Sequence, residues 1–140
     1  MNGQSRNNEP HKIILMTYNI LKYSYAFFAI AAGLDKFMNS LTIWEKYLSP
    51  HIPAMLNLSS LHVMYLAGII EIAAGLLLLT KYTRQAAWLI TAWIGVIIVN
   101  LLMHGGYADI IVRDAMIAVG STVLALLSSQ YGHFKNENNR

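Results

Sequence analysis

Four apolar stretches, each about 20 residues long, constrain the fold of this chain more than any other feature. They cover residues 13–37, 61–80, 85–103 and 110–129. At about 1.5 Å per residue, a helix of that length crosses the ~30 Å hydrocarbon core of a bilayer. None of the stretches has the alternating pattern of a barrel strand, and lipid then leaves only the helix open to them. We therefore predict an all-α integral membrane protein.

The composition supports a lipid environment. Only 12% of the 140 residues are charged and 56% are hydrophobic, whereas soluble proteins have roughly a quarter charged. The net charge of +3 is spread over loops and tails, so nothing indicates a nucleic-acid partner. The absence of cysteine excludes disulfides, a thiol nucleophile and thiolate-bound metal centres. The lipid bilayer is the partner that the composition predicts.

Short connections after the second and third stretches favour antiparallel neighbours. We expect one domain over residues 13–130, an antiparallel four-helix bundle with both termini on the same side. A disordered polar tail is expected over residues 1–12 and a polar tail over 131–140. The long connection over 39–60 has two interpretations. Residues 41–48 form either a short amphipathic helix at the membrane interface or an ordinary loop.

Positive charges predict the orientation of the bundle. One side carries Arg6, Lys12, Lys81, Arg84, Lys135 and Arg140. The opposite side carries Lys36, Lys46 and Arg113. The positive-inside rule then places both termini in the cytoplasm, with the protein in the cell (inner) membrane.

Small and polar residues recur at helical spacing on one face of three stretches. In the first stretch they are Lys22, Ala26, Ala29, Gly33 and Lys36. In the second they are Gly68, Glu71 and Gly75. In the last they are Asp114, Ala118, Ser121, Ala125 and Ser128. Such faces allow membrane helices to approach closely, so we expect them inside the bundle.

The depths of the charged residues predict a polar pocket facing the outer side. With the outer ends of the stretches placed level, Asp114 lies roughly 6 Å, Glu71 roughly 15 Å and Lys22 roughly 21 Å inside the boundary. Lys22 is therefore predicted beneath Glu71, within reach of its carboxylate. The other predicted members of the pocket are Lys36, Asp35, Arg113 and His104. A charge at that depth costs about 2.5–3.5 kcal/mol on insertion scales.

Two interpretations of these charges are open. They form either a binding or proton-passing pocket, or a network of ion pairs that fixes the register of the helices. Asp109 precedes Arg113 by four residues, which predicts a pair within one helix. The histidines lack ligand spacing, so no metal site is expected, and there is no self-contained catalytic motif.

Three segments together resemble the DoxX-like family of small four-helix membrane proteins, over about residues 18–129. They are Gly33-Leu34-Asp35-Lys36-Phe37, Gly68 to Gly75 around Glu71, and Tyr107 to Asp114. The positions that match the family pattern are Lys36, Glu71, Arg113 and Asp114. The family usually has an arginine early in the first span, where Lys22 stands here.

The resemblance implies a redox-associated inner-membrane subunit that binds a membrane quinone or a small anion. Glu71 would exchange a proton, while Arg113 and Lys36 would orient an oxygen of the ligand. With no cofactor motif of its own, the chain would need a partner redox enzyme for electron transfer. One alternative is a non-enzymatic assembly or stress-response component with structural charges. Another is a pathway for protons or a small solute. Whether the chain forms a homo-oligomer is open.

Overall fold

The protein is built from helices, as predicted. The computed structural model describes the backbone of residues 3–137 and the side chains of residues 10 and 12–131. In chain order the elements are α1 (Gly3–Met38), a 3₁₀ helix (Trp44–Tyr47), α2 (His51–Leu56), α3 (Ser60–Leu78), α4 (Thr83–His104) and α5 (Ala108–Glu137). No strand occurs in the described backbone.

Four of the helices contain segments long and apolar enough to cross a membrane. These segments are Lys12–Met38, Ser60–Leu78, Thr83–His104 and Ala108–Tyr131. They match the four predicted stretches within a few residues. The chain is thus a membrane protein with an all-α four-helix architecture.

Helix continues into both predicted tails. The prediction of disorder over residues 1–12 does not match the helical backbone from Gly3, and α5 runs on to Glu137. Gln, Arg, Glu and Lys are good helix formers, so a polar composition argues against a buried core but not against a helix. The ends of the predicted tails, residues 1–2 and 138–140, lie outside the described residues.

The four long helices form a closed ring. α1 packs chiefly on α3, α4 packs chiefly on α5, and contacts between α1 and α5 and between α3 and α4 complete the bundle. Tyr18 of α1 stacks on Tyr131 of α5 with ring centroids 4.6 Å apart. The early part of α1 therefore lies beside the late part of α5, which is the antiparallel arrangement with both ends of the bundle's chain on one side.

The small-residue faces of α1 and α3 pack against each other, as predicted. A Cβ atom placed on Gly68 would lie 2.8 Å from the carbonyl oxygen of Gly33. One placed on Gly75 would lie 2.7 Å from Cγ1 of Ile30. Neither distance leaves room for a methyl group, so glycine is required for the two backbones to approach this closely.

The predicted face of α5 is likewise turned inward. Asp114, Ser121 and Ala125 are 6%, 0% and 1% exposed. The hydroxyl of Ser121 lies 2.7 Å from that of Thr91 on α4, a short polar contact between two membrane helices.

The connection between α1 and α3 does not contain the amphipathic helix over residues 41–48 that was one of its two interpretations. Only Trp44–Tyr47 form a 3₁₀ turn, and α2 follows at His51–Leu56. Asn39, with φ of 50°, ends α1 in the left-handed region, which asparagine tolerates better than most residues. In the connection between α4 and α5, Gly105 and Gly106 have φ of 80° and 97°.

Candidate functional site

A cavity of about 450 Å³ lies between the four long helices. Most of its wall is apolar, with residues such as Ala29, Ala67, Ile94 and Ile117. The charged or amide side chains that line it are Lys36, Glu71, Asn100, Arg113 and Asp114. A mostly apolar pocket with a few polar groups is typical of small-molecule sites.

A buried ion pair forms part of the wall. Nζ of Lys36 on α1 donates a hydrogen bond to Oε2 of Glu71 on α3 at 2.6 Å, and both side chains are less than a tenth exposed. Each charge offsets the desolvation of the other, which makes their burial tolerable. Glu71 thus lies inside the bundle, as predicted, and its partner is the lysine at the end of α1.

The predicted pairing of Glu71 with Lys22 is wrong. Nζ of Lys22 instead lies 3.4 Å from the carbonyl oxygen of Thr80, near the opposite end of the bundle. The prediction placed the ends of α1 and α3 level, whereas Lys36 lies beside Gly68 rather than Leu61. That difference of seven residues is about 10 Å along a helix. It brings Lys36 to Glu71 and leaves Lys22 far below.

Two indole rings enclose the ion pair. Trp93 of α4 donates from Nε1 to Oε1 of Glu71 at 3.3 Å. Trp44 places its ring 4.0 Å from Nζ of Lys36 and donates from Nε1 to Oδ2 of Asp35 at 2.6 Å. A cation above an indole face is stabilised by the ring quadrupole. Asp35 therefore acts on the pair indirectly, by holding Trp44.

The connection between α1 and α3 covers the end of the cavity that lies away from the chain termini. Oδ1 of Asp35 accepts the backbone N–H groups of Ser40 and Leu41, both at 3.0 Å. Asn100 of α4 donates to the carbonyl of Tyr47 at 2.8 Å and accepts from the N–H of Ser49 at 2.9 Å. These contacts tie the segment 40–49 to α1 and to α4, and its Trp44 and Tyr47 line the cavity.

The second charged group in the wall belongs to α5. Oδ1 of Asp114 accepts a hydrogen bond from Nε of Arg113 at 3.0 Å, and Nη2 of Arg113 lies 3.0 Å from the same oxygen in an ion pair. The predicted pair of Arg113 with Asp109 does not form. The Asp114 side chain is 9% exposed and that of Arg113 is 59% exposed, so the acid is buried and the base lies in the exposed part of the cavity wall.

The remaining predicted members of the pocket lie outside the cavity. His104 packs against Tyr107, with ring centroids 5.1 Å apart. The structure therefore brings together four predicted residues in the cavity wall: Lys36, Glu71, Arg113 and Asp114. Asp35 does not line the cavity but binds Trp44, which does. Lys22 and His104 do not belong to the group.

Sequence reasoning missed the two tryptophans. Neither Trp44 nor Trp93 is among the pocket residues predicted from the sequence. A signal was available, because an indole N–H in an apolar setting usually has a polar partner. The sequence could not say which acid each tryptophan would bind.

The cavity wall also includes residues on the outer surface of the bundle. Leu66 and Ile70 of α3 are 48% and 36% exposed, and Val96 of α4 is 54% exposed. All three line the cavity. The cavity wall therefore reaches the surface of the bundle on α3 and α4, the surface that lipid chains surround in a membrane-spanning bundle.

Comparisons with models of known protein families, with curated proteins and with solved structures give no match. Within the described residues, no three His, Asp or Glu side chains are grouped so that they could hold a metal ion.

Proposed function

We propose that this protein binds a lipid-soluble ligand with a polar head, of the membrane-quinone class, as a redox-associated subunit. The observation that carries the proposal is an apolar cavity between membrane helices with the buried pair of Lys36 and Glu71 in its wall. The exposed part of the cavity wall on α3 and α4 is where such a ligand would enter from the bilayer. The resemblance to the DoxX-like family supplies the redox context.

Lys36 and Glu71 have the chemistry to bind a carbonyl group. An ammonium has three N–H donors, and among the described residues Nζ of Lys36 donates only to Glu71. Lys36 is thus able to donate to a ligand oxygen while it keeps its partner. Glu71 lies beside it to accept or return a proton. The electrons would pass to a partner redox enzyme, because the sequence has no cofactor motif of its own.

The proposed location is the bacterial inner membrane with both termini in the cytoplasm. The distribution of lysine and arginine supports this orientation. In it, the segment 40–49 faces the periplasm, and the pair of Lys36 and Glu71 lies in the outer half of the membrane.

One observation favours a second candidate, a membrane assembly or stress-response component with purely structural charges. Lys36 and Glu71 already satisfy each other at 2.6 Å, beside the close contact of Gly33 with Gly68. An ion pair of this kind at a helix–helix contact also serves to fix the register of the two helices.

Purification in mild detergent followed by mass spectrometry of lipids and polypeptides tests the first proposal. We expect a quinone to accompany the wild-type protein at near stoichiometric amounts. The double variant Lys36→Met/Glu71→Leu, which removes both charges at once, is expected to lose it. Lys22→Met is the matched control, because it removes a lysine of the same helix outside the cavity.

The two candidate functions give different outcomes. A folded wild-type protein that carries only bulk lipids, and binds no added short-chain quinone, contradicts the quinone proposal and supports a structural component. Loss of the quinone in Lys22→Met as well as in the double variant would show that the effect does not come from the cavity.

A further inference from the structure

Asp114 has a carboxylate oxygen that no described residue uses. The hydrogen bond from Nε of Arg113 and the ion-pair contact of its Nη2 both go to Oδ1, and Oδ2 accepts none from the described part of the chain. The residue is 6% exposed and lines the cavity. An ionised carboxylate has about four acceptor sites and no donor. Oδ2 is therefore free to accept a hydrogen bond from a ligand in the cavity.

The wall of the cavity therefore carries two polar groups of opposite character. On α1, Lys36 offers N–H donors to whatever occupies the cavity. On α5, Asp114 offers an acceptor. The packing of the ring of helices places these two groups on different helices around one space. A ligand that satisfies both groups must carry an acceptor at one position and a donor at another.

We infer that Asp114 is a ligand-binding residue that accepts a hydrogen bond from a hydroxyl group, so that the cavity prefers a hydroquinone or other phenol to the matching quinone or ether. The inference rests on the proposed function, since it concerns the same cavity. It adds the specificity of the site: the hydroxyl-bearing form of the ligand is the one retained.

The preference follows from the chemistry of the two oxygens. A hydroquinone has hydroxyl groups that both accept and donate, so one of them fits Lys36 and the other fits Asp114. A quinone has only carbonyl oxygens. Its second carbonyl would face the carboxylate of Asp114, which places two acceptors together and leaves both unsatisfied. A site built to bond a hydroxyl strongly disfavours the analogue that lacks it.

The test measures the binding of matched probes to the full-length protein in detergent. The probes are a short-chain benzohydroquinone and its benzoquinone under anaerobic conditions, and para-pentylphenol and para-pentylanisole as a pair without redox chemistry. We expect wild type to favour the hydroxyl-bearing member of each pair by about tenfold, the range of one charge-assisted hydrogen bond. Asp114→Asn, which replaces one acceptor oxygen with an amide donor, is expected to abolish or reverse that preference.

Asp109→Asn is the matched control for Asp114→Asn, because it removes a carboxylate of the same helix that does not line the cavity. The ratio of the two affinities is expected to stay in favour of the phenol in Asp109→Asn and to change in Asp114→Asn. If Asp114 serves only to hold Arg113, neither variant will change the ratio. Thermal denaturation of each variant confirms that it is folded before its ratio is interpreted.

The outcomes distinguish this inference from the proposed function. Equal binding of both members of each pair, unchanged by Asp114→Asn, overturns the role of Asp114 and leaves the quinone-class site intact. Failure of the folded wild-type protein to bind any of the four probes overturns both.

Discussion

The carboxylate of Glu71 receives donors from two other helices, Lys36 of α1 and Trp93 of α4. Removing one member of a buried pair costs about 3–5 kcal/mol, because the remaining charge has no partner. Replacing both members with apolar groups is often neutral or stabilising. Single substitutions at this pair are therefore expected to cost more stability than the double substitution.

We predict that Glu71→Gln destabilises the bundle by about 3 kcal/mol, because it leaves the ammonium of Lys36 buried and unpaired. Lys36→Met/Glu71→Leu is expected to recover most of that loss. Thermal denaturation in detergent measures both variants, with Lys22→Met as a control for loss of a lysine near the surface. Equal melting temperatures for the single and the double variant would contradict the buried pair.

At the scale of single residues, the sequence predicted the buried acid Glu71 but not which lysine pairs with it. Glu71 was predictable because it shares a face with Gly68 and Gly75. Lys36 and Lys22 share the face of α1 equally well, and the spacing within one helix does not determine which of them lies level with Glu71. The axial offset between α1 and α3 determines which lysine lies level with Glu71, and that offset depends on packing between the helices.

At the scale of whole elements, glycines on both helices define the contact of α1 with α3. The carbonyl of Gly33 lies against Gly68, and the backbone of Ala26 lies against Gly75. The face that each helix presents was predictable from a period of three and four residues. The structure of the connection over 39–59 was not, because Asp35 and Asn100 shape it through contacts made only in the folded bundle.

We predict that Gly68→Ala lowers the stability of the bundle by about 1–3 kcal/mol, the usual cost of an overpacked interior. The new methyl group would meet the carbonyl oxygen of Gly33 at 2.8 Å, and a backbone atom cannot rotate away. Gly95→Ala on α4 is the control, because a Cβ there has no neighbour within 4 Å. A loss of stability in Gly95→Ala equal to that in Gly68→Ala would contradict the proposed cause.

At the scale of the whole molecule, the bundle consists of two pairs of helices, α1 with α3 and α4 with α5. The number of spans and their antiparallel order were predictable from four apolar stretches and short connections. A polar pocket in the bundle was also predicted, but the pairing of its charges and its apolar volume were not predictable, because both depend on how the four helices pack.

We predict that alkaline phosphatase fused after the last residue is inactive, since positive charge favours cytoplasmic termini. The same enzyme inserted after Ser49 is expected to be active, because that segment covers the opposite end of the bundle. Activity measured on whole cells provides the comparison. An active terminal fusion with an inactive internal one would reverse the orientation and leave the fold unchanged.

The division into two pairs determines where the molecule is able to open. One covalent link joins the pairs, the turn over 79–82, where the Thr83 hydroxyl donates to the carbonyls of Leu78 and Thr80 at 2.9 and 3.0 Å. At the far end no covalent link joins the halves. Hydrogen bonds of Asn100 with Tyr47 and Ser49, and of Trp93 with Glu71, hold them together there. The end at which the cavity lies is therefore closed by side-chain contacts alone.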